Sequence, residues 1–236
     1  MFFTEEFEPR IDDYNANGNL SMEAMLKILE NCGNHHSQSV LDTTTTNGVS
    51  WILAEWRLEV IRRPKISEKL TVTTWAHGKA PAMSTQREFV AADGKGNTLF
   101  RASDKLALVD MKENKMLKIA PEHLSLYRPE EKTAFDSLPS RLLEPESYDG
   151  QMPLLLRRSD IDFNGHVHNT RYLDFAMEAM TEDDYAADSF SQARIIYRAP
   201  IKPNDKPEIR TKRTETGSVF GIYAENRLCT LIEILC

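Results

Sequence analysis

What most constrains this chain is that it states one segment twice. Tyr14 to Asn19 reads YNANGN and Ile161 to His166 reads IDFNGH, which sets Asn17-Gly18 and Asn164-Gly165 147 residues apart. Carried onward, that spacing aligns Leu20 with Val167, Met25 with Tyr172, Leu26 with Leu173, Ile28 with Phe175 and Cys32 with Ala179. The apolar phase is helical in both copies: Met22, Met25, Leu26, Leu29 and Cys32 step by three and four, as do Tyr172, Phe175, Ala176, Ala179 and Met180. Ser21 and Asn169 stand where N-cap residues belong. A long-period repeat of this kind predicts two units of one design, each opening on a turn and then a helix with one buried stripe.

Strands follow each helix. Trp51 to Arg63 sets Ile52, Ala54, Trp56, Leu58 and Val60 on one face, and Leu70, Val72 and Thr74 continue the period of two. Ser84 to Ala92 and Thr98 to Asp110 flank Asp93-Gly94-Lys95-Gly96-Asn97, a hairpin signal. The second half repeats the scheme with Ala193 to Arg198, Pro207 to Glu215, Ser218 to Ala224 and Arg227 to Leu235, and Arg198-Ala199-Pro200 echoes the strand entrance at Arg62-Arg63-Pro64. Between the halves, prolines at 121, 129, 139 and 145 argue against continuous helix or central strand. The expected architecture is therefore α+β, two antiparallel sheets each wrapped around a central helix. Its domains would be 1–118 and 151–236, with a connector at 119–150.

Bulk properties narrow the function. The 236 residues, 41% apolar, can bury one large core or two ordinary ones without disulfides or metals. Cys32, Cys229 and Cys236 form an odd, widely spaced set with no CxxC pair, so neither a disulfide framework nor a zinc site is expected. A formal charge of -7 argues against a nucleic-acid partner. No run approaches the roughly eighteen apolar residues of a membrane span, and the acidic opening MFFTEEFEPR lacks the character of a secretory signal, so a cytoplasmic protein is expected. A basic series lies in the second half: Arg157, Arg158 and Arg171, then Arg194, Arg198, Lys202, Lys206, Arg210, Lys212 and Arg213. Such a series is either a solvated face or a surface that steers an acidic partner.

The two copies differ where chemistry can sit. Asn15, Asn17 and Asn19 of the first become Asp162, Asn164 and His166 in the second, so two titratable groups surround an unchanged Asn-Gly. Amides orient and donate but do not exchange protons near neutral pH. If the backbone is extended, Asp162, Asn164 and His166 share one face and Phe163 and Gly165 turn away. The helix that follows would offer a partly positive pole to a developing oxyanion. The plainer reading of the same letters is a turn with ordinary caps; the motif's place at the mouth of the helix favours chemistry. His35 and His36 close the first helix, where interaction with its C-terminal dipole is the default.

Asp160 to Tyr172, DIDFNGHVHNTRY, resembles the D-x-D-x-N-x-H-V-N-N-x-x-Y segment in the second of the two hotdog domains of the acyl-acyl-carrier-protein thioesterases of plants and bacteria. The resemblance implies a tandem (double) hotdog fold, with an acyl-chain pocket in the first, non-catalytic copy. It further implies hydrolysis of the thioester between a fatty acyl chain and the phosphopantetheine arm of acyl carrier protein. Asp162 would then be nucleophile or base, and Asn164 and His166 would orient it and the carbonyl. No cofactor is implied, because the arm arrives with the substrate. Two departures stand out: the family's strand-start glutamate is replaced by Pro200, which leaves Glu178 or another acid to act there, and the first asparagine of H-V-N-N is His168. Rival readings are an acyl-coenzyme A thioesterase, a hotdog hydratase and a non-catalytic acyl-binding protein. A homodimer is left open, because two fused hotdogs already complete the pair a single one would seek.

Overall fold

The computed structural model describes residues 1–78, 82–137 and 139–236, without the side chains of 46 and 47. The chain divides into two compact units, Met1–Leu138 and Pro139–Cys236.

In the first unit the strands are β1 (Phe3–Phe7), β2 (Val49–Val60), β3 (Leu70–His77), β4 (Thr85–Ala92), β5 (Thr98–Asp110) and β6 (Lys115–Leu117). They are ordered β1-β3-β4-β5-β2, all antiparallel, with β6 on the far end of β5. Helix α1 (Met22–Ser39) begins where expected, because the Ser21 hydroxyl accepts the Ala24 N–H at 3.1 Å. Its stripe of Met25, Leu26, Leu29 and Cys32 has no solvent exposure. Each such leucine is worth roughly 1.5–3 kcal/mol of burial. Gly33 lets the helix approach the sheet, since a Cβ there would meet Arg87 at 3.3 Å and Phe89 at 3.6 Å. The expected single face of β2 is broken by a bulge between Leu53 and Glu55. The extra residue reverses the alternation, so Trp56, Leu58 and Val60 are buried while Ile52 is 38% exposed.

The stretch expected to connect the halves is divided between them, with residue 138 outside the described residues. Pro121 starts a short helix, α2 (Pro121–Ser125), because proline at the first helical position lacks only an N–H the helix would not use. Beyond it Ala134 and Phe135 pack on Trp75, across the sheet from α1, and Arg57 lies 3.7 Å over the Phe135 ring. On the other unit Leu142 packs against Val219 and Leu231.

The second unit holds β7 (Gly150–Pro153), α3 (Arg171–Glu178), α4 (Glu182–Ala187), β8 (Gln192–Tyr197), β9 (Pro207–Thr214), β10 (Gly217–Ala224) and β11 (Arg227–Leu235). Its antiparallel order is β8-β11-β10-β9-β7. The expected single helix is split here. Thr181 opens a new one by accepting the Asp184 N–H at 3.2 Å, so α3 stops after eight residues, with Tyr172, Leu173, Phe175 and Ala176 buried. The sequence pattern of strands, the first helix entrance and the hairpin at 93–97 is otherwise realised; β1, β6 and β7 are short strands that no alternation announces.

Candidate active site

The repeated segment forms the same hydrogen-bonded frame in both units. Each begins with a one-turn 3-10 helix, Ile11–Asp13 and Arg158–Asp160, whose last carboxylate accepts a backbone N–H three residues back: Arg10 to Asp13 at 2.8 Å, Arg157 to Asp160 at 2.7 Å. A bridge then pairs Tyr14 with Leu20, and Ile161 with Val167. Inside the bridge the Asn15 N–H reaches the Asn19 carbonyl at 2.8 Å and the Gly18 N–H reaches Asn15 at 2.9 Å; Asp162 to His166 and Gly165 to Asp162 repeat these at 2.8 and 3.0 Å. Gly18 and Gly165 sit at φ 70° and 76°, the left-handed conformation that makes Asn-Gly the shared core of the motif.

The segment is thus a closed turn, not the extended run expected, so a period of two does not decide where its side chains point. The backbone curls because the first side chain draws it in. Asn15 Oδ1 accepts the N–H groups of Asn17 and Asn19, both at 3.1 Å. Asp162 Oδ1 accepts those of Asn164 and His166 at 2.8 and 3.3 Å. Among the described residues the remaining oxygen, Asp162 Oδ2, meets only the Asn164 amide at 3.4 Å, a weak contact. The carboxylate is therefore held by one oxygen and presents the other. Asp162 and His166 are half-buried, Asn164 is exposed, and the His166 imidazole makes no hydrogen bond to protein among the described residues. The turn places the two titratable side chains on its two ends, which its own backbone bond brings together.

The helix entrance departs from expectation. Residue 169 does not cap it; Thr170 is the N-cap, and α3 starts at Arg171. His168 takes up the intervening residues, for its carbonyl accepts the Arg171 N–H at 3.0 Å and its Nδ1 accepts the Thr170 N–H at 3.4 Å. The Leu173 N–H goes to the Thr170 carbonyl at 3.2 Å. These N–H groups, expected to face an oxyanion, have acceptors within the chain. The Asn169 carbonyl instead accepts the Tyr197 hydroxyl at 2.8 Å. Tyr172, pushed up in pKa by burial, accepts the Ile201 N–H at 3.1 Å and so ties the 199–202 loop to the helix.

That loop corrects a second alignment. The Leu20 N–H bonds to Pro64 at 3.0 Å and the Val167 N–H to Ile201 at 2.9 Å, and Ile61-Arg62 and Arg198-Ala199 each share one carbonyl, Leu99 and Cys229. Pro64 therefore corresponds to Ile201 rather than to Pro200. Pro200 is exposed, as is Glu178.

Two family models divide the chain between them: the acyl-ACP thioesterase N-terminal domain matches residues 1–127 and the acyl-ACP thioesterase C-terminal domain residues 144–228. The chain belongs to the acyl-ACP thioesterase family. A thioesterase of this family from Bacteroides thetaiotaomicron superposes with a TM-score of 0.88 at 19% identity, covering 99% of this chain and 97% of that one. The 12:0-ACP thioesterase from Umbellularia californica gives 0.87 at 16% identity, over 99% and 96%. The fold is accordingly the double hotdog, α+β as expected. Among curated proteins, the chloroplastic oleoyl-acyl carrier protein thioesterase 1 of Arabidopsis thaliana is 23% identical over 94% of this chain. The chain spans between 60% and 67% of the length of the first three curated relatives it matches.

Within this thioesterase-family chain the basic series resolves into two kinds of residue, apart from the half-buried Arg194, which donates to the Ser140 carbonyl. Arg157 pairs with Asp160 at 2.9 Å, Arg171 with Asp174 at 3.0 Å, Arg210 with Glu208 at 2.5 Å, Lys212 with Asp149 at 2.7 Å and Arg213 with Asp184 at 2.5 Å. Arg158, Arg198, Lys202 and Lys206 are exposed and make no ion pair among the described residues. Two neighbours of the motif were not singled out from sequence. Asp160 has no exposure and clamps the frame through the Arg157 guanidinium, a role its letter does not distinguish from a cap. Phe163, at the tip of the turn, is 97% exposed, which an alternating reading hides.

Proposed function

We propose that this protein hydrolyses the thioester joining a fatty acyl chain to acyl carrier protein, releasing free fatty acid, with Asp162, Asn164 and His166 as the working residues. One observation carries the assignment to these residues: the neutral Asn15 makes the same backbone contacts as Asp162, so the turn does not need the charge. A charge that folding does not require is available for chemistry. Family membership supports the reaction class, and the acyl carrier protein is the partner in this reading.

Asp162 Oδ2 either attacks the acyl carbon, forming an acyl-aspartate anhydride that a water then hydrolyses to free acid and carboxylate, or takes a proton from the water that attacks it; in both routes the C–S bond breaks and the leaving thiolate must gain a proton. The His166 imidazole, at the other end of the turn, carries that proton. The Asn164 amide holds Asp162 in place and can donate to the carbonyl oxygen. Acid-base assistance of this kind is worth roughly 100- to 10,000-fold. The phosphopantetheine arm comes with the substrate, and the reaction is proposed for the cytoplasm. No helix of the described residues is long and apolar enough to cross a membrane.

Free thiol released from purified acyl-carrier-protein substrates tests the reading, with coenzyme A esters as controls for the rival carrier. Unchanged turnover in both Asp162→Asn and His166→Ala would remove these residues from the mechanism. A parent protein that releases no thiol from any chain length would remove the reaction.

A further inference from the structure

The frame that both units share makes its differences informative, position by position. The tip of the first turn is Ala16 and the tip of the second is Phe163. The first residue of the 3-10 helix is Ile11 in one and Arg158 in the other. Neither change serves the bonds that the two turns share, Asn15 to Asn19 with Gly18 to Asn15, and Asp162 to His166 with Gly165 to Asp162.

A phenyl ring 97% exposed on a tight, hydrogen-bonded turn forgoes burial worth roughly 1.5–3 kcal/mol. It also stands between Asp162 and Asn164 in the chain, on the same turn as the carboxylate. A cation lies next to each strand at the base of its turn. The Arg158 carbonyl accepts the N–H of Ile161, one side of the bridge; Lys202 follows Ile201, whose carbonyl accepts the N–H of Val167, the other side. Both cations are exposed, and neither makes an ion pair among the described residues. An exposed aromatic at the tip of a turn, with two cations at its base that make no ion pair among the described residues, is suited to an acidic protein partner on a chain whose net charge is -7.

We infer that Phe163, with Arg158 and Lys202 at the base of its turn, is the surface on which an acidic carrier protein is seated while its acyl arm reaches Asp162. This rests on the thioesterase reading and adds to it the docking residues and the split of labour: the ring anchors the carrier and the two cations draw it in.

The test compares one acyl group on two carriers, the acidic acyl carrier protein and the bare pantetheine arm. Phe163→Ala is expected to raise KM for the carrier-protein substrate about tenfold, the size of effect typical of a buried interface aromatic, while kcat/KM for the pantetheine thioester stays within about twofold. Arg158→Ala combined with Lys202→Ala is expected to weaken the fall of carrier-protein kcat/KM with salt. Charge reversal, Arg158→Glu, gives an independent variant should the ring replacement unfold the turn, and is expected to raise KM for the carrier substrate alone. An equal loss on both substrates would overturn the inference and make Phe163 a support of the turn. No loss on the carrier substrate would overturn it too, and a change in self-association or in sedimentation with lipid vesicles would then show what the ring meets instead. A parent protein inactive on both substrates would sink the underlying reading rather than the docking surface.

Discussion

The two units carry one turn and place their titratable groups in opposite ways. In the first, the turn carries amides, and an acid and an imidazole are buried around Arg87: Arg87 bonds Nδ1 of His36, in the last turn of α1, at 2.8 Å, its backbone N–H meets Asp104 at 3.1 Å, and all three are buried. Burial and the neighbouring Arg87 push His36 down to about 4, so the imidazole is neutral and does not serve the helix dipole as its position suggested. Burial pushes the Asp104 carboxyl up to about 7. In the second, the acid and imidazole stand on the turn itself, half-buried and within reach of solvent. One frame can thus carry amides or titratable groups, and what separates the two turns is their side chains, not the backbone.

The largest test of that contrast is Asp162→Asn, which converts the second turn into the first. Thioester hydrolysis is expected to fall roughly 100- to 10,000-fold. Stability in urea should move by no more than about 0.5 kcal/mol, the range of substitutions that keep their contacts. A variant both inactive and unfolded would show that the charge is structural after all. His166→Asn, which copies Asn19, should cost about 100-fold in turnover, the lower end of acid-base assistance; full activity would leave Asp162 working alone.

Next comes the buried acid. Because the folded state holds a proton on Asp104 that the unfolded chain has released, its contribution to stability is complete below about 4 and is lost as pH rises toward 7. His36 runs the other way, losing stability as pH falls from 6.5 to about 4. Urea unfolding of Asp104→Asn against the parent isolates the first slope: the variant's relative stability should grow between pH 4 and 7, by a few kcal/mol at the order-of-magnitude level. Parallel profiles would mean that Asp104 is ionised in the fold.

The smallest effect sharpens the likeness rather than the contrast. Gly18→Ala and Gly165→Ala each place a Cβ in the left-handed region with no atom nearer than 3.7 Å, so both should cost about 1–2 kcal/mol from backbone strain. Clearly unequal losses would mean that the two turns bear different loads.

Much of this was readable before any coordinates. The repeat, the helix at Ser21, the hairpin at 93–97 and the four principal strands of the second half follow from residues that act on near neighbours in the chain. The misreadings share one cause. Asn169 looks like a cap as Ser21 does, yet His168 and Thr170 form their own turn; Ile52 continues an alternation that one extra residue reverses; Pro200 matches Pro64 by letter but Ile201 matches it by hydrogen bond.

The sequence alone determined that the chain repeats a unit, that each unit joins a helix to antiparallel strands, and that the second turn carries an acid and an imidazole where the first carries amides. Tertiary structure decided which Asp162 oxygen is held by backbone N–H groups, which cations are already spent in ion pairs, and that Asp104 and His36 are buried around Arg87. The reason is range: a turn or a helical stripe is written by residues four or fewer apart, whereas register, burial and charge pairing are settled between strands and loops that meet only once the chain has folded.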